Sequence, residues 1–284
     1  MKKNTYSGIQ TIAIHAGEGP DPTTNASAPP IHMSSTFVSE EAAGFSAHDL
    51  TDDSPWLYAR WANPTVSMLE KKIAAIEGVE DALCTASGMA AATAIFLTFL
   101  QKGDHVIISD VSYAGVAELA RDTLPRFGIE TTFVDMADLE AVEAAMRKNT
   151  KLIHIETPVN PILRLTDVKA VKEITLKAGA LLSADCTFST PLGAKANALG
   201  IDLIMHSATK YLCGHGDAVG GVIAGSKSLI SKLRLEAGIH HGGVMSPFNA
   251  WLISRGVATL PLRMEAHQKN ATTLANWLEN HPSV

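Results

Sequence analysis

The stretch Ile201–Leu212, IDLIMHSATKYL, decides the fold class. Ile201, Leu203, Ile204 and Met205 form the short apolar run of a strand buried between helices, and Ser207, Thr209 and Lys210 arrive together where that run ends. Lysine is an odd residue to find on the mouth of a core strand. Desolvation there frees an amine's lone pair, which a nucleophile or an imine former needs, and two nearby hydroxyls suit a phosphate. Taken alone, Ser-x-Thr-Lys is more often a loop with a solvated lysine, so the rest of the chain has to decide.

On either side of this stretch, strand-like and helical runs alternate. Asp81–Ala86 reads as a strand, followed by Ser87-Gly88-Met89 and a helix of small residues. HVIIS leads to a helix carrying Val116 to Leu124, IETTFV to one over Asp138–Met146, and KLIHIET to one over Thr166–Lys177. ALLSAD, IDLIMH and AVGGVIAG complete the set. This order predicts an α/β fold with right-handed crossovers, a mostly parallel sheet of about seven strands and helices on both faces. Ahead of it, Val66, Leu69, Ile73 and Ile76 have helical spacing from Pro64, with Gly78 placed to end the helix. Residues 1–62, with GEGPDPTTNASAPP in the middle, read as an extended arm; 63–255 form the α/β domain; and a long helix is predicted from about Ser246 through Leu278.

Composition narrows the function. With 284 residues and 46% hydrophobic content the chain can bury a large core, and a formal charge of −6 without a long basic run argues against nucleic acid as the main partner. Cys84, Cys186 and Cys213 lie in or beside apolar segments, which fits reduced thiols better than a disulfide frame. No window approaches a membrane span and the N-terminus lacks a sustained apolar region, so the expectation is a cytoplasmic protein. His206, His215, His240 and His241 have no usual zinc spacing, and no metal is expected.

Ligands of such sheets bind beyond the carboxyl ends of the strands. Those ends supply Ser87-Gly88-Met89, Tyr113, Glu156 to Asn160, Asp185-Cys186-Thr187 and Ser207 to Lys210. Each has a dull reading: Tyr113 as rim packing, Glu156 as a cap partner, Asp185 as a turn former, Asn160 as a loop residue. Their convergence on one rim is what those readings do not predict. A pyridine aldehyde carrying a phosphate would use the whole set. Lys210 would form the imine, Asp185 would keep the ring nitrogen protonated, and Tyr113 would stack on the ring. Ser87, Gly88, Met89, Ser207 and Thr209 would receive the phosphate, while the freed Lys210 would shuttle protons.

The strings YxRxxNPT, SGM, DxTFxTP and HSATKYLxGHxD, followed by SPFNAWLISRGVATLPLRM, resemble the trans-sulfuration, or Cys/Met-metabolism, family of pyridoxal-phosphate enzymes. The resemblance covers essentially the whole chain. It implies the large domain of a fold-type-I pyridoxal 5'-phosphate enzyme, a small amino-acid substrate, and Tyr58 and Arg60 of the arm reaching the cofactor phosphate of a neighbouring subunit in a homodimer or homotetramer. It also implies a place for Asn160 near the ring's phenolic oxygen and for Thr187 among the cofactor contacts. Two departures bear on activity. The resemblance implies that 256–284 begin a helix leading to a small C-terminal domain that is missing here, together with the arginine that grips the substrate carboxylate. Methionine γ-lyases of the family typically have a cysteine where Gly115 stands. The expectation is therefore a cystathionine γ-synthase-like enzyme acting by γ-replacement or β/γ-elimination, with cystathionine γ-lyase or methionine γ-lyase as the alternative. A truncated, non-catalytic cofactor-holding or oligomerising fragment is the reading from another class.

Overall fold

A computed structural model describes residues 6–39, 46 and 54–284; the parts of the arm at 1–5, 40–45 and 47–53 lie outside the described residues. Seven strands form one sheet: β1 (Asp81–Thr85), β2 (His105–Ser109), β3 (Glu130–Val134), β4 (Thr150–Glu156), β5 (Leu181–Asp185), β6 (Leu203–His206) and β7 (Gly221–Gly225). Their order is β1-β7-β6-β5-β4-β2-β3. Pairings from β6 through β3 are parallel, whereas β7 runs antiparallel to both β6 and β1. The reversal has a local cause. Residues 207–220, between β6 and β7, fold as turns and bends instead of a crossover helix, so the chain returns on the same edge of the sheet.

Side-chain alternation along the strands feeds two cores. Val106 and Ile108 of β2 point to one face and Ile107 to the other, all fully buried. One face is covered by α2 (Pro64–Glu77), α5 (Leu139–Ala145), α6 (Val168–Ala178) and α9 (Pro247–Ala258), the other by α3 (Gly88–Phe99), α4 (Ala114–Glu118) and α8 (Lys227–Leu233). The short α7 (Thr190–Gly193) follows β5, and α10 (Leu260–Glu279) ends the chain. The alanines of α3 let it approach the sheet closely, and its Ile95 and Phe96 are fully buried, each stabilising by about 2–3 kcal/mol. Asn63 caps α2 by accepting from the N–H groups of Thr65 and Val66, and Gly78 ends it in the left-handed conformation at φ 71°.

Three expectations change in detail. The arm is not wholly extended: α1 (Ile9–His15) packs its buried Ala13 into the core beside Leu69 and Ile73 of α2. The long C-terminal helix is two helices that meet at Thr259, because Pro261 has no N–H to donate and its ring would strike the carbonyl of Val257. The helix after Tyr113 lasts only five residues before it widens into a π turn over Leu119–Thr123 and closes as a 3-10 turn at Leu124–Phe127 around Pro125. All three cysteines are buried and free, and burial pushes the thiols of Cys84 and Cys186 well up.

Candidate active site

The carboxyl ends of β1, β2, β4, β5 and β6 open onto one cavity of about 730 Å³. Ser87, Gly88, Met89, Tyr113, Asn160, Asp185, Thr187, Ser207, Thr209 and Lys210 all line it, so the parallel strands bring together ten of the residues singled out in the sequence. Tyr58 and Arg60 do not line it. Within its own chain the Arg60 guanidinium lies over the Tyr58 ring, 5.1 Å from the centroid, and donates to the carbonyl of Ile239.

Each wall is built from local chemistry. At the end of β1, Ser87 caps α3 by accepting from Ala90 N–H at 3.1 Å. The N–H groups of Gly88 and Met89 are left at a helix N-terminus with no intrahelical acceptor, which favours an anion. Gly88 is required by proximity: a Cβ there would lie 2.8 Å from Ser207 Cβ. Gly221 is required similarly, since its Cβ would lie 2.1 Å from the Ser87 carbonyl oxygen. These glycines let the first turn and the loop after β6 form a cradle of N–H and hydroxyl groups.

The loop after β6 is fixed from several sides. Ser207 N–H donates to Thr187 Oγ1 at 2.7 Å, Thr209 Oγ1 donates to the Gly220 carbonyl at 3.1 Å, and Gly214 N–H donates to the Lys210 carbonyl at 2.7 Å. Lys210 itself is exposed, and its Nζ has no hydrogen-bond or ion-pair partner among the described residues. This corrects the expectation of a desolvated amine at the strand mouth. Lys210 stands four residues beyond the strand, on an open cavity, where the described residues leave its side chain exposed.

Opposite the loop, Asp185 ends β5 with 8% exposure, and its Oδ1 accepts from Thr187 N–H at 2.9 Å. Oδ2 has no partner among the described residues. Beside it in register, Glu156 ends β4. Tyr113 is about half-exposed, and Gly115 makes room for its ring: a Cβ at 115 would come within 2.9 Å of both Tyr113 Cε1 and Met89 Sδ.

The cavity also has members that were not selected from the sequence. Glu156 is legible in the sequence as a strand end, with no chemistry of its own announced there. Phe188, Tyr211, Arg263 and His267 were not recognised, although they too line the wall. Arg263 donates to the carbonyls of Tyr211 and Gly256, each at 2.8 Å, and to Thr259 Oγ1 at 3.1 Å, fastening the Lys210 loop to the junction of α9 and α10. The break before Pro261 was the available signal, because it turns Arg263 back towards that loop. Behind Asp185, His154 is buried in β4 with its Nδ1 2.8 Å from Ser183 Oγ, and burial pushes it down to about 4. His206 is committed to the core, its Nε2 2.5 Å from Glu77 Oε1. No helix among the described residues is long and apolar enough to cross a membrane.

Pyridoxal phosphate fits this donor set: an unpartnered amine, a half-open aromatic ring, a buried carboxylate with one oxygen unpartnered, and a cradle of helix N–H groups narrowed by two glycines.

Comparison with known proteins supports the same conclusion. The family model described as Cys/Met metabolism PLP-dependent enzyme matches residues 10–284. A canavanine γ-lyase of Rhizobium leguminosarum bv. trifolii is 44% identical over 98% of this chain and 70% of its own length. A cystathionine γ-lyase of Bacillus subtilis is 44% identical over 97% of this chain and likewise 70% of its own length. In three dimensions, the cystathionine γ-lyase from Lactobacillus plantarum, solved in complex with L-serine, superposes with a TM-score of 0.90 at 36% identity, covering 97% of this chain and 70% of that one. The chain thus spans about 70% of the length of these relatives. It belongs to the Cys/Met-metabolism family of pyridoxal-phosphate-dependent enzymes, with pyridoxal 5'-phosphate as its cofactor.

Proposed function

We propose that the chain is a γ-lyase, removing a heteroatom-linked group from the γ-carbon of a small α-amino acid, with cystathionine as the first substrate to test. The observation that carries the proposal is the single cavity in which Lys210, Asp185 and Tyr113 meet the cradle of Ser87, Gly88, Met89, Ser207 and Thr209. Relatives named for γ-elimination at 44% identity favour a lyase over the γ-synthase-like enzyme expected from the sequence. Gly115, where methionine γ-lyases are expected to have cysteine, favours cystathionine over methionine. The canavanine γ-lyase at the same identity supports canavanine as a second substrate.

In this reading Lys210 would hold the cofactor covalently and, once freed by substrate, would carry protons between substrate carbons. Asp185 would pair with the ring nitrogen and keep its proton in place. Tyr113 would stack on the ring and Asn160 would lie near the phenolic oxygen, while Thr187 braces Asp185 and Ser207. Bound there, pyridoxal phosphate supplies an electron sink for the pair left at the substrate α-carbon. Tyr58 and Arg60 reach the phosphate in a second copy of the chain, so the complete site needs at least a homodimer, with a homotetramer as the larger assembly. Their absence from the cavity of their own chain supports this sharing.

The test has two stages. Borohydride reduction of protein incubated with pyridoxal phosphate should fix one cofactor to the Lys210 peptide, and none in Lys210→Ala. A separate, unreduced sample of the cofactor-loaded protein should release the γ-substituent of cystathionine or canavanine without any added thiol. Product formed only from O-succinylhomoserine with a thiol present would replace the lyase reading with the synthase one. Cofactor fixation without turnover of any of these compounds would favour the non-catalytic reading.

A further inference from the structure

Glu156 ends β4 directly beside Asp185 in the parallel register, is 7% exposed, and has no cationic partner among the described residues. Its two oxygens are used separately. Oε2 accepts from the N–H of Tyr113 at 2.7 Å, and Oε1 from the N–H of Asn160 at 2.9 Å. These amides belong to different loops, one after β2 and one after β4, and each loop carries a residue of the cofactor wall. Tyr113 stands at the N-cap of α4, ahead of the first turn, so its amide has no acceptor within the helix and needs one from elsewhere. A carboxylate accepting from backbone N–H groups forms charge-assisted bonds, about twice as strong as neutral ones, and its two oxygens fix the spacing between the loops. On the outer side Arg164 makes a second tie between the same loops by pairing with Asp110, and it also pairs at 2.9 Å with Asp135 of the loop after β3. These outer pairs are partly exposed to solvent and contribute little to rigidity. Burial pushes the Glu156 carboxyl up, a cost that is sustained in a pocket wall with only two amides as compensation.

We propose that Glu156 is a positioning residue that sets the distance between the Tyr113 loop and the Asn160 loop, and thereby the width of the slot that receives the cofactor ring. It acts through these backbones and touches no reacting atom. The inference rests on the cofactor reading above.

The test compares the parent with Glu156→Gln and Arg164→Ala. Glutamine keeps the volume and one acceptor oxygen but turns an NH₂ towards the other amide, so one loop is released. Without cofactor, amide hydrogen exchange should show at least one of the Tyr113 and Asn160 amides losing protection by about 10-fold or more in Glu156→Gln, with the amides of β4 and β5 unchanged. With cofactor, borohydride should still label Lys210, while the induced circular dichroism of the bound chromophore falls. Any measurable turnover should drop by about 100-fold, in line with the misplacement of a wall by an ångström. Arg164→Ala should leave both amides protected and the dichroism near the parent's. Unchanged protection and unchanged dichroism in Glu156→Gln, with labelling intact, would overturn the role of Glu156. A parent chain that takes up no cofactor would instead overturn the reading on which it rests.

Discussion

Replacing Gly88 by alanine tests the cradle most directly, because two opposing effects can be weighed. Gly88 is the first residue of α3 and its φ is not positive, so alanine relieves the backbone entropy cost of glycine and gains up to about 1 kcal/mol. Against this, the new Cβ would lie 2.8 Å from Ser207 Cβ, 2.9 Å from Ser207 Oγ and 3.2 Å from Ser207 Cα. Two of these atoms do not move with the rotamer. The loop itself must therefore retreat by roughly half an ångström, and overpacking of this kind costs about 1–3 kcal/mol. Overpacking wins, with a net loss of about 1–2 kcal/mol and a fall of roughly 2–3 °C in the unfolding temperature of a chain this long. The affected loop carries Ser207, Thr209 and Lys210, so the dissociation constant for pyridoxal phosphate, followed by absorbance titration, should rise about 10-fold, equivalent to 1.4 kcal/mol. Adding Ser207→Gly removes the opposing Cβ and should restore the unfolding temperature. If Gly88→Ala binds the cofactor as the parent does, or the double variant recovers no stability, close approach is not the reason for glycine here.

Three further outcomes follow from other parts of the molecule. Arg60→Ala should weaken cofactor retention, and mixing it with Lys210→Ala should return part of the activity in hybrid assemblies; hybrids as inactive as their parents would count against a site shared between copies. His154 has a folded value of about 4 against an ordinary 6.5, so it is neutral in the fold and the unfolded chain binds the extra proton; stability is complete above pH 6.5 and should fall by up to about 3 kcal/mol as the pH drops to 4, a loss that denaturant titrations should find flattened in His154→Asn. Lys72, fully buried, donates to the carbonyls of Ala13 and Ile14 at 3.1 and 3.0 Å and to Glu18 at 2.5 Å, so Lys72→Met should raise proteolysis within residues 6–30 about 10-fold while global stability changes by only ~1–2 kcal/mol, since lost charged hydrogen bonds are offset by the relieved burial of a charge; an arm that stays protected would refute its role as the fastening.

The sheet was legible because strand and helical runs alternate from Asp81 to His206, and the parallel pairing of β2 to β6 follows from that alternation, whereas the antiparallel β7 follows a helix-free loop. The boundaries that moved did so for reasons in single residues. Pro261 and Pro125 interrupt apolar patterns that continue beyond them, so periodicity alone carries each helix too far. α1 was missed because one buried side chain, Ala13, is too weak a signal against the breakers that follow. Its acceptors are met from 58 and 59 residues away by Lys72, a partner no local pattern announces.

The site divides along the same line. Residues at the ends of parallel strands could be read one by one, because topology alone sends them to one rim. Glu156, Arg263 and His154 could not be assigned a role, because each acts across the chain: on amides 43 residues back and 4 ahead, on a carbonyl 52 residues back, and on a hydroxyl 29 residues ahead. Lys210 shows the converse limit. Its chemistry was readable from its position, but the inference of a dry amine took the strand's burial to extend past the strand's end. The fold holds Lys210 by its backbone and leaves the amine in water. In the proposed assembly the arm of a second copy lies over this exposed amine and the cofactor beside it. The hybrid experiment with Arg60→Ala tests that arrangement: only an arm that reaches across makes retention of the cofactor depend on which copy carries the substitution.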